Sequence, residues 1–175
     1  MTSANRARIA LAALLALPLL GACSPRTYGV VGLALDDQGR VVAHAHPCRP
    51  DAGFDRAVID VRAEPATPGG PYTSVDVVVW ESPTSASGPV SWRVDEVPGP
   101  SWRDGHGQPA WQPSTTYRLA VSETGKKDQY SLARLSFTTD DLARLERGRV
   151  WLDRPQGGSM SVADFAAGKA CAPES

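Results

Sequence analysis

Apolar and polar positions alternate along most of the chain after residue 28, and this pattern predicts short β-strands. Alternation with a period of two places apolar side chains on one face of a strand, which can then be buried against a second layer. Glycine, proline and aspartate separate these stretches, as is typical of turns between strands. The predicted strands cover residues 29–35, 41–46, 57–63, 75–80, 90–94, 117–122, 130–138 and 150–152.

Two short helices are predicted towards the C-terminus. Thr138 and Ser161 are favourable N-cap residues, and an aspartate follows each of them three positions later, Asp141 and Asp164 respectively. This spacing is typical of a capping box, in which the two side chains satisfy backbone N–H groups reciprocally. Each helix would run for about two turns, too short to be stable without packing on the rest of the fold.

The succession of short strands with few helices predicts a mainly β fold. We expect an immunoglobulin-like or fibronectin-III-like β-sandwich with two short helices, and a small barrel is the alternative architecture. Residues 82–114 depart from the general pattern because prolines and glycines are frequent there. Beyond the strand at 90–94, this stretch predicts a loop of about 18 residues that carries Trp102 and Trp111.

The first 22 residues predict a targeting segment. Arg6 and Arg8 precede an apolar run at residues 9–20, which is shorter than the roughly 20 residues that a membrane-spanning helix needs. The sequence Leu-Gly-Ala-Cys at residues 20–23 follows this run and has the form of a bacterial lipobox. It resembles the site at which a lipoprotein precursor is lipidated on cysteine and then cleaved before that cysteine.

This leader divides the chain into three parts. We expect residues 1–22 to be a lipoprotein signal peptide, residues 23–27 a lipidated N-terminus with a short tether, and residues 28–175 a single β-sandwich domain. The lipid on Cys23 would attach the protein to the plasma membrane on its extracytoplasmic face, since two or more acyl chains hold a protein there durably.

Charge argues against nucleic acid as a partner. The chain has 18 basic and 19 acidic residues and a formal net charge of −1, and removal of Arg6 and Arg8 with the leader makes that charge −3. The basic residues do not cluster, whereas a nucleic-acid-binding surface requires a basic patch.

Two cysteines remain when Cys23 is assigned to the lipid. Cys48 and Cys171 form an even pair in a protein expected to be exported, and an oxidising compartment favours a disulfide between them. A free catalytic thiol is the alternative, but Cys171 lies only four residues from the end of the sequence.

The predicted loop supplies a candidate recognition patch. Trp102, Arg103, His106 and Trp111 combine aromatic faces with polar groups, a combination that suits sugar or peptide ligands. The alternative is that the two tryptophans fold back over one end of the sandwich and anchor their own loop.

Three histidines supply the candidate chemistry. His44 and His46 occupy alternate positions of one predicted strand and could approach a single metal ion, with His106 or an aspartate as the third ligand. The simpler interpretation is that both are polar residues on an outer strand face, so we expect no metal and no cofactor. The chain contains none of the common hydrolase, metalloprotease or nucleotide-binding motifs, and we assign no catalytic residue.

Two stretches resemble known proteins. Residues 28–48 contain an apolar strand, an Asp-x-x-Gly-Arg turn, a valine-rich return and a cysteine, and residues 137–152 contain Asp-Leu-Ala followed by glycine and valine. Both resemble small actinobacterial lipoproteins of uncharacterised function. The Asp-x-x-Gly hairpin is also similar to carboxypeptidase-regulatory-like sandwich domains. These resemblances imply a β-sandwich and assign no site residues.

The sequence therefore predicts a membrane-anchored extracytoplasmic lipoprotein that acts as a non-enzymatic binding or accessory module for a protein or cell-wall ligand. The alternative hypothesis is a metal-dependent or hydrolytic enzyme that uses His44, His46 and His106.

Overall fold

Ten β-strands, two α-helices and one 3₁₀ helix are present in the computed structural model, which describes residues 28–63, 73–99, 101–106, 109–124, 131–152 and 158–171. The strands are β1 (Gly29–Leu35), β2 (Val41–Pro47), β3 (Phe54–Ala63), β4 (Thr73–Ala86), β5 (Val90–Arg93), β6 (Arg103–His106), β7 (Tyr117–Ser122), β8 (Ser131–Phe137), β9 (Arg149–Leu152) and β10 (Gly158–Ser161). The helices are α1 (Thr139–Leu142), α2 (Val162–Ala166) and the 3₁₀ helix (Lys169–Cys171).

The strands form two five-stranded sheets. Sheet A has the order β10-β9-β1-β2-β5, and sheet B has the order β6-β4-β3-β7-β8. Each of these neighbouring strand pairs is antiparallel. The prediction of a mainly β fold with two short helices is confirmed at this level.

The β1–β2 hairpin has the turn that its sequence predicts. The carboxylate of Asp36 accepts hydrogen bonds from the backbone N–H groups of Gln38 and Arg40, at 2.9 and 2.8 Å. Gly39 adopts a φ of 78°, which glycine tolerates without a Cβ penalty. The hydrogen bonds from the Arg40 backbone and side chain hold the pKa of Asp36 below its usual value. This turn fixes the register in which Gly32 lies opposite His44.

The main core lies between the two sheets, because alternate residues of both sheets face each other. Leu33 and Ala43 of sheet A and Ile59 and Leu119 of sheet B are fully buried members of this core. The rings of Trp80 in β4 and Trp92 in β5 meet edge to face with centroids 6.0 Å apart, which packs the two sheets together.

A second apolar cluster lies on the outer face of sheet A. It contains Ala34, Val150, Leu152, Phe165 and Ala170, so residues from β1 and β9 are covered by α2 and the 3₁₀ helix. We call residues 158–171, which contain β10, α2 and the 3₁₀ helix, the C-terminal cap. The α2 and 3₁₀ helices of this cap therefore cover part of the outer face of sheet A.

Both helices begin as predicted, but each is only about one turn long rather than two. Thr138 and Asp141 form a capping box at α1, and the Ser161 hydroxyl accepts a hydrogen bond from the Asp164 N–H at α2. Each helix is followed by a turn with backbone hydrogen bonds between residues three apart, from Leu145 to Leu142 and from Gly168 to Phe165, so the chain stays coiled for a further turn without continuing the α-helix. Within the described residues, no helix has the length and apolar character needed to cross a bilayer.

The prediction of a loop after residue 94 is wrong in one respect, because this segment contains strand β6. β6 pairs with the outer edge of β4, with Arg103 opposite Glu81 and His106 opposite Val79. β6 consists of Arg-Asp-Gly-His and lacks apolar alternation, so periodicity could not reveal it. Its pairing depends on an available edge of β4, which is a tertiary feature.

Candidate functional site

His44 and Ser91 form a close pair on the outer face of sheet A. They lie opposite each other in β2 and β5, and the Ser91 Oγ lies 2.7 Å from Nδ1 of His44. The imidazole of His44 also meets the ring of Phe165 edge to face, with centroids 5.9 Å apart. His44 is only 6% exposed, whereas Ser91 is exposed. The cap therefore covers the histidine and leaves the serine accessible.

Burial decides what His44 does at neutral pH. Desolvation lowers the pKa of His44 from 6.5 to about 4, because the charged imidazolium loses its hydration under the cap. The imidazole is therefore neutral at pH 7. A base with this pKa is poorly matched to proton abstraction near neutrality, so the hydrogen bond to Ser91 fits a structural role better than activation of the hydroxyl.

His46 lies two residues further along β2, next to the disulfide. Its Nδ1 atom is 2.8 Å from the backbone oxygen of Pro47 and 3.6 Å from Sγ of Cys171. The Cα of Gly168 lies against the same ring, since a Cβ there would come within 3.2 Å of Cε1. The ring of His46 also meets that of Phe165, with centroids 6.4 Å apart. His46 thus contacts the cap at several points.

Cys48 and Cys171 form a disulfide, with their Cα atoms 5.2 Å apart. Cys48 follows β2 and Cys171 ends the 3₁₀ helix, so the bond ties the start of the domain to the cap. The predicted pairing of these two cysteines is thus present in the structure.

The three predicted histidines belong to strands of two different sheets. His44 and His46 belong to sheet A, whereas the backbone of His106 belongs to the edge strand β6 of sheet B. Over the described part of the chain, and with the disulfide formed, no group of three or more His, Cys, Asp or Glu residues is arranged to hold a metal ion.

The candidate recognition patch is divided between the core and the surface. Trp102 is 8% exposed and belongs to the main core, and Arg103 beside it is exposed. Trp111 is half-buried and packs edge to face on Tyr117 and Phe137, with centroids 4.9 and 5.7 Å apart. The two tryptophans therefore contribute to packing, and Arg103 is the patch residue with an exposed side chain among Trp102, Arg103 and Trp111, the three whose side chains the structure describes.

Tyr117 fixes the segment that precedes β7. Its hydroxyl accepts a hydrogen bond from the N–H of Gln112 at 2.7 Å and donates one to the backbone oxygen of Ala110 at 3.3 Å. The ring is 2% exposed and stacks on Phe137. Sequence reasoning identified Tyr117 as an apolar strand position and missed this bonding, because the spacing of the residues carries no signal for it.

A buried ion pair lies on the outer face of sheet B. Asp60 in β3 is 3% exposed, and its Oδ2 accepts hydrogen bonds from Nε and Nη2 of Arg118 at 3.0 and 2.7 Å. The other carboxylate oxygen of Asp60 is buried and has no hydrogen-bond partner among the described residues. Alternation within the strand predicted at residues 57–63 places Asp60 on the face opposite Ile59, but it could not indicate that this outer position is covered.

Cys23, the predicted lipidation site, and the whole predicted leader lie outside the described residues. Comparisons of the chain with protein-family models, with curated proteins and with solved structures found no match.

Proposed function

We propose that this protein is a lipid-anchored lipoprotein on the extracytoplasmic face of the plasma membrane. The observation that carries this proposal is the sequence Leu-Gly-Ala-Cys at residues 20–23, directly after a basic and apolar leader. The Cys48–Cys171 disulfide supports it, because structural disulfides persist in oxidising compartments. The first strand begins at Gly29, so only a short tether separates Cys23 from the folded domain.

The domain is best described as an immunoglobulin-like or fibronectin-III-like sandwich. When β6, β9 and β10 are set aside, sheet A has the strand order β1-β2-β5 and sheet B has the order β4-β3-β7-β8. A three-stranded sheet opposite a four-stranded sheet with Greek-key connections supports this class. Tyr117 at the start of β7 adds support, because its hydroxyl hydrogen-bonds to backbone groups a few residues upstream. Immunoglobulin-type sandwiches have a tyrosine with the same bonding near the start of their sixth strand, strand F. In this description, β6, β9 and the C-terminal cap, which includes β10, are additions to the sandwich.

The anchor is tested by a single substitution. Cys23→Ala removes the thiol that would accept the lipid, and we expect the protein to leave the membrane fraction or to retain its leader. Ser24→Ala is the matched control, since it changes the neighbouring residue and leaves the thiol intact. Fractionation of cells followed by immunoblotting provides the measurement. A Cys23→Ala protein that stays in the membrane fraction with its leader removed would refute the anchor.

We further propose that the anchored sandwich acts as a non-enzymatic binding or accessory module for a protein or cell-wall component. Arg103 is exposed at the edge strand β6, and arginine is enriched at the centres of binding surfaces. Arg103→Ala should reduce recovery of the bound component from cross-linked cell envelopes. Arg134→Ala, an exposed arginine in β8, is the control. Equal recovery with both variants would exclude Arg103 from the binding surface.

A hydrolytic activity is the alternative, and the contact between Ser91 and His44 is the observation that favours it. The distance of 2.7 Å is within the range for a nucleophile and its base. A fluorophosphonate probe, which labels activated serine hydroxyls covalently, tests this function. Labelling that disappears in Ser91→Ala would support the hydrolytic alternative, and absence of labelling in the unaltered protein would count against it.

A further inference from the structure

Three potential metal ligands meet beside the C-terminal cap. His46 lies near the end of β2, Cys48 directly follows that strand, and Cys171 ends the 3₁₀ helix. Nδ1 of His46 is 3.6 Å from Sγ of Cys171, which is bonded to Cys48. All three residues are half-buried, so reagents and ions in solvent can reach them.

We propose that reduction of the Cys48–Cys171 disulfide converts this cluster into a metal site with two thiolates and one imidazole, suited to Zn²⁺. Cysteine sulfur and histidine nitrogen are the ligands that Zn²⁺ prefers in proteins. In the disulfide form the two sulfur atoms are bonded to each other and cannot act as thiolate ligands. The state of the disulfide therefore determines whether the site exists.

The distances between the ligands fit a tetrahedral ion. With Zn–S distances of about 2.3 Å and Zn–N distances of about 2.0–2.1 Å, a nitrogen and a sulfur ligand lie about 3.6 Å apart. Nδ1 of His46 and Sγ of Cys171 already have this separation in the disulfide form. The two sulfurs must move to about 3.8 Å from each other, which side-chain rotation can achieve because the Cα atoms are 5.2 Å apart.

The cap has contacts that hold Cys171 near His46 without the disulfide. Phe165 and Ala170 are buried in the second apolar cluster, with exposures of 1% and 7%. Nζ of Lys169 lies 2.6 Å from one carboxylate oxygen of Asp164, and the other carboxylate oxygen accepts a hydrogen bond from the hydroxyl of Ser161, the N-cap of α2. Gly168 packs on the imidazole of His46. Reduction would thus free the sulfur atoms while the cap remains on sheet A.

Metal binding requires one proton to move on His46. Nδ1 lies 2.8 Å from the Pro47 oxygen, an arrangement in which Nδ1 donates its proton to that oxygen. A metal ion needs the lone pair on Nδ1, so the neutral ring must carry its proton on Nε2 instead. The hydrogen bond to Pro47 is then replaced by the bond to the metal.

A dithiol can act as the reductant of the Cys48–Cys171 disulfide. The dithiol supplies two electrons and two protons, becomes a disulfide itself and leaves Cys48 and Cys171 as thiols. Binding of Zn²⁺ then displaces one proton from each thiol. The three protein ligands leave a fourth position on the ion for water.

Co²⁺ is the probe for this site, because tetrahedral cobalt with thiolate ligands has a characteristic charge-transfer absorption. The experiment uses the full chain with Cys23→Ser in detergent, so that Cys48 and Cys171 are its only thiols. The reduced chain, freed of dithiol under anaerobic conditions, should bind one equivalent of Co²⁺ with this absorption, and Zn²⁺ should displace it. The oxidised chain should not develop the absorption.

Two variants in β2 test whether His46, rather than the neighbouring His44, is the ligand. His46→Ala should weaken Co²⁺ binding by the reduced chain by at least about tenfold, whereas His44→Ala should leave it nearly unchanged. Far-ultraviolet circular dichroism reports whether each reduced chain keeps its sheets. Three results would overturn the proposal: a reduced chain that loses its sheets, cobalt affinity equal to that of the oxidised chain, or equal binding by the two histidine variants.

Discussion

At the scale of single residues, His44 makes the stability of the domain depend on pH. Its folded pKa is about 4 against 6.5 for an unperturbed histidine, because burial under the cap disfavours the charged form. Below pH 6.5 the unfolded chain binds a proton that the folded chain does not accept until about pH 4. The free energy of unfolding should therefore fall as pH decreases from 6.5 to 4, by about 3 kcal/mol in total from this group.

His44→Gln removes this titration, and His46→Gln is the control on the same strand. Urea unfolding of the oxidised protein at several values between pH 4.5 and 7.5 measures the effect. We expect the unaltered protein and His46→Gln to lose stability more steeply than His44→Gln, by up to about 1.4 kcal/mol per pH unit. Parallel pH profiles for all three proteins would show that His44 is not a buried neutral group.

Single residues also show what alternation along the sequence can predict. The strand predicted at residues 57–63 puts Ile59 and Asp60 on opposite faces, and in the structure Ile59 belongs to the main core whereas Asp60 does not, because side chains alternate between strand faces regardless of context. It could not predict the pairing of Asp60 with Arg118, or that of His44 with Ser91. Each of these pairs joins separate strands, and their register depends on turns and sheet order rather than on local spacing.

At the scale of elements, close contact between β1 and β9 depends on Gly32. A Cβ at this position would meet the side chain of Val150 and come within 2.6 Å of the backbone oxygen of Trp151. Backbone atoms of β9 cannot move aside without breaking the pairing in which Gly32 lies opposite Leu152. The glycine is therefore needed for the close approach of the two strands.

Gly32→Ala should lower the free energy of unfolding by about 2–3 kcal/mol, the range for overpacked sites. Gly88→Ala is the matched control, since a Cβ there has no neighbour within 4 Å, and it should change stability little. Chemical denaturation of the two variants provides the comparison. Equal stability of both variants would mean that β9 does not lie against β1 as the structure has it.

The elements differ in how well the sequence predicts them. β1, β2, β3 and β7 were predicted because they combine alternation with clear turns, and the capping residues of both helices were recognised. β6 and β10 were missed because they are short and polar, and edge pairing rather than burial keeps them extended. Trp102 lies just before β6 and outside any strand, as predicted, and its side chain belongs to the main core, which is the alternative in which the tryptophans anchor their own loop.

At the scale of the whole molecule, the disulfide connects the first hairpin to the cap. It closes a loop with a sequence separation of 123 residues, for which the chain-entropy model gives a stabilisation of about 4–5 kcal/mol as an upper value. Replacing both cysteines by Ala should remove most of this stabilisation. In this variant, α2 and the 3₁₀ helix should also exchange their amide hydrogens faster than the central strands of the sheets do, because they depend on fewer buried contacts.

Urea unfolding and hydrogen exchange of the double variant, compared with the unaltered protein, measure both effects. A loss below about 1 kcal/mol with uniform exchange would contradict the connecting role of the disulfide. The pairing of Cys48 with Cys171 was predictable from the expected compartment and the cysteine count. The contact between Cys171 and His46 was not. That contact arises because the cap folds back over β2, and no local pattern in the sequence specifies this path.

The central claim is that Cys23 is the lipidated first residue of the mature protein. Intact-mass spectrometry of the protein extracted from bacterial membranes tests this most directly. The account predicts a chain that begins at Cys23 and carries the additional mass of a thioether-linked diacylglycerol, with Cys48 and Cys171 oxidised. A chain that retains residues 1–22, or one that begins elsewhere without a lipid, would contradict it.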